Sequence, residues 1–139
     1  VEPTRAACLT ASARAGAPMS VPLHEETVMA GLSCGATSLL AWDVLSAAGG
    51  DYVTIDDAAV APAMRLLADG RAGGAPIVAG ESAVPGLVAL IAAAADPRLR
   101  HDLALNRDSR VLLLGCEGAT DPEIYRRMVG ESADGLLAG

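Results

Sequence analysis

The stretch LLLGCEGATDPEIY, residues 112–125, decides how the fold is read. An apolar run, Val111-Leu112-Leu113-Leu114, stops at Gly115-Cys116-Glu117-Gly118, and Asp121-Pro122-Glu123 follows. A short apolar run bounded by glycines has the pattern of a strand buried on both faces. Asp is a favoured N-cap, and Pro suits the first helical position, where its missing N–H is one of the unpaired donors. A strand is therefore expected over Arg110–Leu114 and a helix over Pro122–Val129. The thiol and carboxylate of Cys116 and Glu117 fall between two glycines where strand meets helix.

The same alternation extends upstream. Tyr52-Val53-Thr54-Ile55 is β-branched and aromatic and reads as a strand, and Ile77-Val78-Ala79 as a second, short and buried. The first residues look like the end of another strand. Helices are expected over Thr4–Ala15, closed by Gly16; Leu39–Ala48, capped by Ser38; Asp57–Ala68, capped by Asp56, with Pro62 as a possible kink; Ala83–Ala95; and, weakly, Arg98–Leu105. Val60, Met64 and Leu67 share one face of the Asp57–Ala68 helix. Apolar strands alternating with helices give an α/β fold in three layers, a mostly parallel sheet with helices on both faces. No internal boundary divides the 139 residues, a length that suits one domain.

Composition narrows the partners. A net charge of −7 argues against nucleic acid, because neutralising phosphates needs clustered cations. The longest apolar run, Leu87 to Ala95, is too short to span a bilayer. No basic segment leading into an apolar stretch opens the chain, so no signal peptide is expected. The start, Val1-Glu2-Pro3, has no Met, which fits a processed chain or a part of a longer protein. Cys8, Cys34 and Cys116 form no C-x-x-C pair, so neither a disulfide framework nor a metal site is expected, and the cytoplasm is the expected location. All ten cations are Arg; there is no Lys.

Ligands of open α/β sheets bind beyond the carboxyl ends of the strands. Three such places carry unusual residues: the small and apolar segment Thr27 to Cys34, the turn Gly80-Glu81-Ser82, and Gly115-Cys116-Glu117-Gly118. Glycines there let a ligand approach the backbone, and the helix N-termini that follow favour an anion. Each also has a plainer reading. The glycines suit tight turns, Glu81 and Glu117 suit surface charges near helix N-termini, Cys116 suits a small buried hydrophobe, and Ser82 suits a helix cap better than a nucleophile. His24 and His101 have no partner at metal spacing.

Four segments together, VEPTRAACLTASARAG, ETVMAGLSCG, VAGESAVPGLVAL and GCEGATDPEIYRRMV, resemble the C-terminal part of the diaminopropionate ammonia-lyase family, from Val1 to about Val129. These are pyridoxal-phosphate enzymes of the tryptophan-synthase-β-like fold, fold type II. The resemblance implies α,β-elimination of 2,3-diaminopropionate to pyruvate and ammonia, with pyridoxal 5′-phosphate as electron sink. It implies that Cys116 faces the pyridine nitrogen, where a weakly polar thiol would not hold a proton. Gly115 and Gly118 would admit the ring, Ala30-Gly31-Leu32 would line one side, and Glu81 would sit at or behind its phenolic edge, with Glu117 among the cofactor-facing residues. It implies a homodimer when intact. Three positions depart from the family pattern: Ala83 replaces a Gly, Cys116 a hydroxyl residue, and Ala119 an acidic one.

The family's Schiff-base lysine and phosphate loop lie upstream of the matching segment. Residues 1–139 are accordingly expected to be a C-terminal fragment that holds no catalytic residue, needs the N-terminal half and is inactive alone. Two other readings stay open: part of a serine or threonine dehydratase-like enzyme of the same fold, and a non-catalytic α/β module binding a small anion or a partner chain.

Overall fold

Glu2–Pro3 and Thr54–Ile55, strands β1 and β2, pair in parallel, with Glu2 opposite Thr54 and Pro3 opposite Ile55. The computed structural model describes residues 1–138. Seven α-helices occur among them: α1 (Cys8–Ala15), α2 (Leu39–Ala48), α3 (Val60–Ala68), α4 (Pro85–Ala95), α5 (Pro97–Asp102), α6 (Pro122–Val129) and α7 (Ala133–Leu137). The α/β class and the parallel pairing agree with the sequence reading, and the opening residues do lie in a strand, β1.

Local chemistry places most helix boundaries. Asp121 accepts hydrogen bonds from the Glu123 and Ile124 amides, both at 2.9 Å, and starts α6 where expected. Asp96 accepts from the Arg98 and Leu99 amides and turns the chain from α4 into α5. Gly16 closes α1 with φ 68°, a left-handed conformation that glycine adopts without a Cβ penalty. Helix α1 begins at Cys8, later than expected, because Thr4–Ala6 form a single 3₁₀ turn. Its cap is remote: the buried Glu2 carboxylate accepts from the Leu9 and Thr10 amides at 2.8 and 2.7 Å, and from the Thr10 hydroxyl at 2.8 Å.

Helix α3 also starts late, after a 3₁₀ turn over Asp57–Ala59. Pro62 then falls in the first α-helical turn, where its missing N–H removes no intrahelical bond. Val60, Ala63, Met64 and Ala68 form its buried stripe. They join Met29, Ile55, Ala79, Val84 and Tyr125 in a core of aliphatic side chains and one aromatic, as a chain without Phe requires. Helix α6 packs on α3 and brings Tyr125 into that core. Helix α7, capped by Ser132 at the Gly135 amide, was not foreseen from the sequence.

Two expected strands do not form. Residues 77–79 and 110–114 belong to no strand among the described residues. Val111, Leu112, Leu113 and Leu114 are 46, 83, 39 and 80% exposed rather than buried. A strand needs a neighbour to receive its N–H and C=O groups, and apolar pattern alone supplies none. One backbone bond, from the Gly80 amide to the Glu117 carbonyl at 3.0 Å, joins the ends of these two segments.

Candidate functional site

Three segments distant in sequence converge where the candidate residues were expected. The first is a one-turn 3₁₀ helix, Ala30–Leu32. It is anchored by Met29, which is 0% exposed in the core. Polar pins hold its approach. Asp57 accepts from the Thr27 hydroxyl and, at 3.1 Å, from the Val28 amide. Arg5 lies 3.8 Å from the same carboxylate and 3.2 Å from that of Glu25, and donates to the Glu26 carbonyl at 3.2 Å. The turn is thereby fixed from both sides while Ala30 and Gly31 stay exposed.

The second segment, Gly80-Glu81-Ser82, leads into α4. The Ser82 hydroxyl oxygen accepts from the Gly31 amide at 3.0 Å, across 51 residues. Ser82 is therefore not the cap of α4, whose N-terminus has no side-chain cap. Glu81 is 4% exposed. Its carboxylate accepts no hydrogen bond from the described residues, yet it is not sealed off, since among them the Tyr125 hydroxyl alone is a fully buried side-chain polar atom without a partner.

The third segment is Gly115-Cys116-Glu117-Gly118. The Glu117 Oε2 accepts from the Ser82 amide at 2.6 Å. A Cβ on Gly80 would collide with the Gly118 carbonyl and come within 2.8 Å of the Glu117 side chain. A Cβ on Gly115 would lie 3.2 Å from the Ala83 carbonyl. Backbone meets backbone at both places, which only glycine permits without movement. Cys116 is a free, exposed thiol rather than the buried hydrophobe of the plainer reading.

The structure thus brings Gly31, Gly80, Ser82 and Glu117 into one hydrogen-bonded group and sets Gly115 against Ala83. Leu32 is half-buried beside Gly31. Neither Glu81 nor Glu117 takes part in an ion pair among the described residues, where the arginine pairs are Arg5 with Glu25 and Asp57, and Arg71 with Asp69. Both carboxyl groups thus stand without an arginine partner among the described residues. Sequence reasoning missed the linking role of Ser82 and the Arg5–Asp57–Thr27 pins. Nothing in local spacing marks either, because the partners are 21 to 52 residues apart.

Comparison with known proteins bears on the family and the fold. The family described as "Pyridoxal-phosphate dependent enzyme" matches residues 1–117. The diaminopropionate ammonia-lyase of Escherichia coli (strain K12) is 36% identical over 134 residues, which are 94% of this chain and 34% of that protein. The enzyme of the same name from Salmonella typhimurium is 36% identical over 142 residues, covering 96% of this chain and 35% of the relative. The chain thus spans about a third of the length of the curated relatives it matches. A crystal structure of the Escherichia coli enzyme in complex with an aminoacrylate–PLP azomethine reaction intermediate superposes with a TM-score of 0.80 at 34% identity, over 92% of this chain and 33% of that one. Its complex with D-serine gives 0.78 at 34% identity, over 95% and 34%. The fold is that of the type II pyridoxal-phosphate enzymes. Family match, fold and the meeting of the three segments lead to one assignment: the chain belongs to the pyridoxal-phosphate dependent enzyme family.

Proposed function

We propose that residues 1–139 are the C-terminal portion of a pyridoxal-phosphate ammonia-lyase that converts 2,3-diaminopropionate to pyruvate and ammonia. In this reading the chain forms one wall of the cofactor site. The carrying observation is the convergence of Ala30–Leu32, Gly80–Ser82 and Gly115–Gly118 through direct hydrogen bonds. The residues present suit a flat ring. Gly118 has open space where a Cβ would stand, and the Cys116 thiol is accessible.

When bound, the cofactor supplies the electron sink for elimination. The chain's own residues orient and screen. Cys116 would offer the ring nitrogen a weakly polar thiol instead of a carboxylate that would keep it protonated. Ala30, Gly31 and Leu32 would line one side of the ring, with Gly115 and Gly118 as its small neighbours. Glu81, buried yet open at its carboxyl group, would sit at or behind the phenolic edge.

The chain has no Lys, so turnover through a lysine requires residues beyond these 139. An N-terminal part of a longer protein would supply the Schiff-base lysine and the phosphate loop, in keeping with this chain's spanning about a third of its relatives' length. The intact enzyme is read as a cytoplasmic homodimer. The three free cysteines of residues 1–139 suit a reducing compartment, and among the described residues no helix is long and apolar enough to cross a membrane.

The test is to express the full reading frame and residues 1–139 separately, add pyridoxal phosphate, and follow pyruvate from 2,3-diaminopropionate, serine and threonine. The expected result is turnover by the full protein with diaminopropionate strongly preferred, and none by residues 1–139. Turnover restricted to serine or threonine would move the enzyme to the dehydratases. Activity from residues 1–139 alone would overturn the fragment reading.

A further inference from the structure

We propose that Glu117 is a positioning residue whose carboxylate, relayed through Ser82 to Gly31, locks the three cofactor-facing segments in one arrangement. The inference rests on the reading of this wall as a cofactor site and reassigns Glu117 from a direct contact to the clamp behind it.

The chain of bonds is short and directional. The Ser82 amide donates to Glu117 Oε2 at 2.6 Å, a charge-assisted bond, and the Ser82 hydroxyl oxygen accepts from the Gly31 amide at 3.0 Å. Ser82 thus uses its amide toward one segment and its hydroxyl oxygen toward the other. The backbone of the clamp is tied as well, since the Gly80 amide donates to the Glu117 carbonyl at 3.0 Å. Glu117 Oε1 reaches within 3.9 Å of the point where a Gly31 Cβ would stand, so all three segments meet around this one side chain. No arginine among the described residues pairs with it. Its role in the group is therefore that of an acceptor, and the residue whose backbone it holds in register is its neighbour, Cys116.

An acceptor role separates the outcomes of substitution. Glu117→Gln keeps an oxygen at the Ser82 amide, whereas Glu117→Ala removes it and leaves that donor to find water. In the full-length protein, Glu117→Ala should speed hydrogen exchange at the Ser82 and Gly31 amides and weaken pyridoxal-phosphate binding by about tenfold, the loss of one bond to a charged group. The absorbance band of the bound cofactor should shift with it. Exchange in α3 should stay as in the parent protein. Glu117→Gln should restore most of the protection and the affinity.

Ser82→Ala is the second variant should Glu117→Ala fail to fold: it should expose the Gly31 amide and leave the Ser82 amide protected. Unchanged exchange at Ser82 and Gly31 in Glu117→Ala would overturn the clamp. Lost protection with parental cofactor affinity and spectrum would overturn its link to the site. Failure of the parent full-length protein to bind pyridoxal phosphate would refute the functional reading instead, and the exchange data would still decide the clamp.

Discussion

Tyr125 is 1% exposed, and its hydroxyl has no hydrogen-bond partner among the described residues. The ring fills the core between α3 and α6, while the oxygen has no protein partner among the described residues. Burial, and then the nearby Glu131 carboxylate, push its pKa above the usual value of 10.0. A phenol whose pKa is raised by folding must stay neutral in the folded state. Its contribution is intact below pH 10 and is lost as pH climbs from 10 toward the folded pKa, so stability falls with rising pH in that window. Tyr125→Phe keeps the ring and removes the orphan hydroxyl. It should raise stability at neutral pH by about 1 kcal/mol and flatten the decline above pH 10, both read by denaturant unfolding across pH. A loss of more than about 1 kcal/mol would show that the hydroxyl has a partner, such as an internal water.

Among the elements, α1 depends on a residue outside itself. Its N-terminal position Ala7 offers no side-chain cap, and the carboxylate of Glu2, from β1, fills that role. Glu2 sits on a backbone that is itself paired to β2, through its amide and the Val53 carbonyl at 2.9 Å. The cap therefore couples the sheet to the first helix, and favourable placement of a negative charge at a helix N-terminus adds to it. Glu2→Ala should lower stability by about 2 to 3 kcal/mol, because it strands three donors in a buried place. Glu2→Gln, which keeps an acceptor, should lose less. Thermal unfolding of both variants measures the difference, and equal losses would argue against the carboxylate's special role. The caps at Ser38, Asp56 and Asp121 were legible in the sequence because donor and acceptor lie two or three residues apart. The Glu2 cap was not, because the partners are seven or eight residues apart and meet only after β1 has paired.

Over the whole molecule, apolar surface is unevenly covered. None of the ten residues of α2 is buried, and Leu39, Leu40 and Val44 are 68, 77 and 62% exposed. The run Val111–Leu114 adds a second exposed apolar strip. Such patches favour association. Residues 1–139 in isolation should therefore appear in light scattering as oligomers or aggregates, whereas the full-length protein should give a discrete dimer. A monodisperse monomer from residues 1–139 would count against a missing covering part. The site has the same scale. Segments 30–32, 80–82 and 115–118 each carried a signal of small residues, and these are the segments that hydrogen bonds bring together. Which atoms touch was not legible, since the bonds from Ser82 span 51 residues to Gly31 and 35 to Glu117.

By itself the sequence determined the α/β class, most helices and their local caps, the absence of Lys, and the three glycine-bearing segments of the site. Those features follow from periodicity, capping chemistry and composition, all of which act within a few residues. Only the tertiary structure decided that β1 and β2 pair while 77–79 and 110–114 do not, that Glu2 caps α1, and that Ser82 serves Gly31 rather than α4. Strand pairing, remote capping and loop clamping each need two partners brought together across the chain, and their free energy exists only once both are in place.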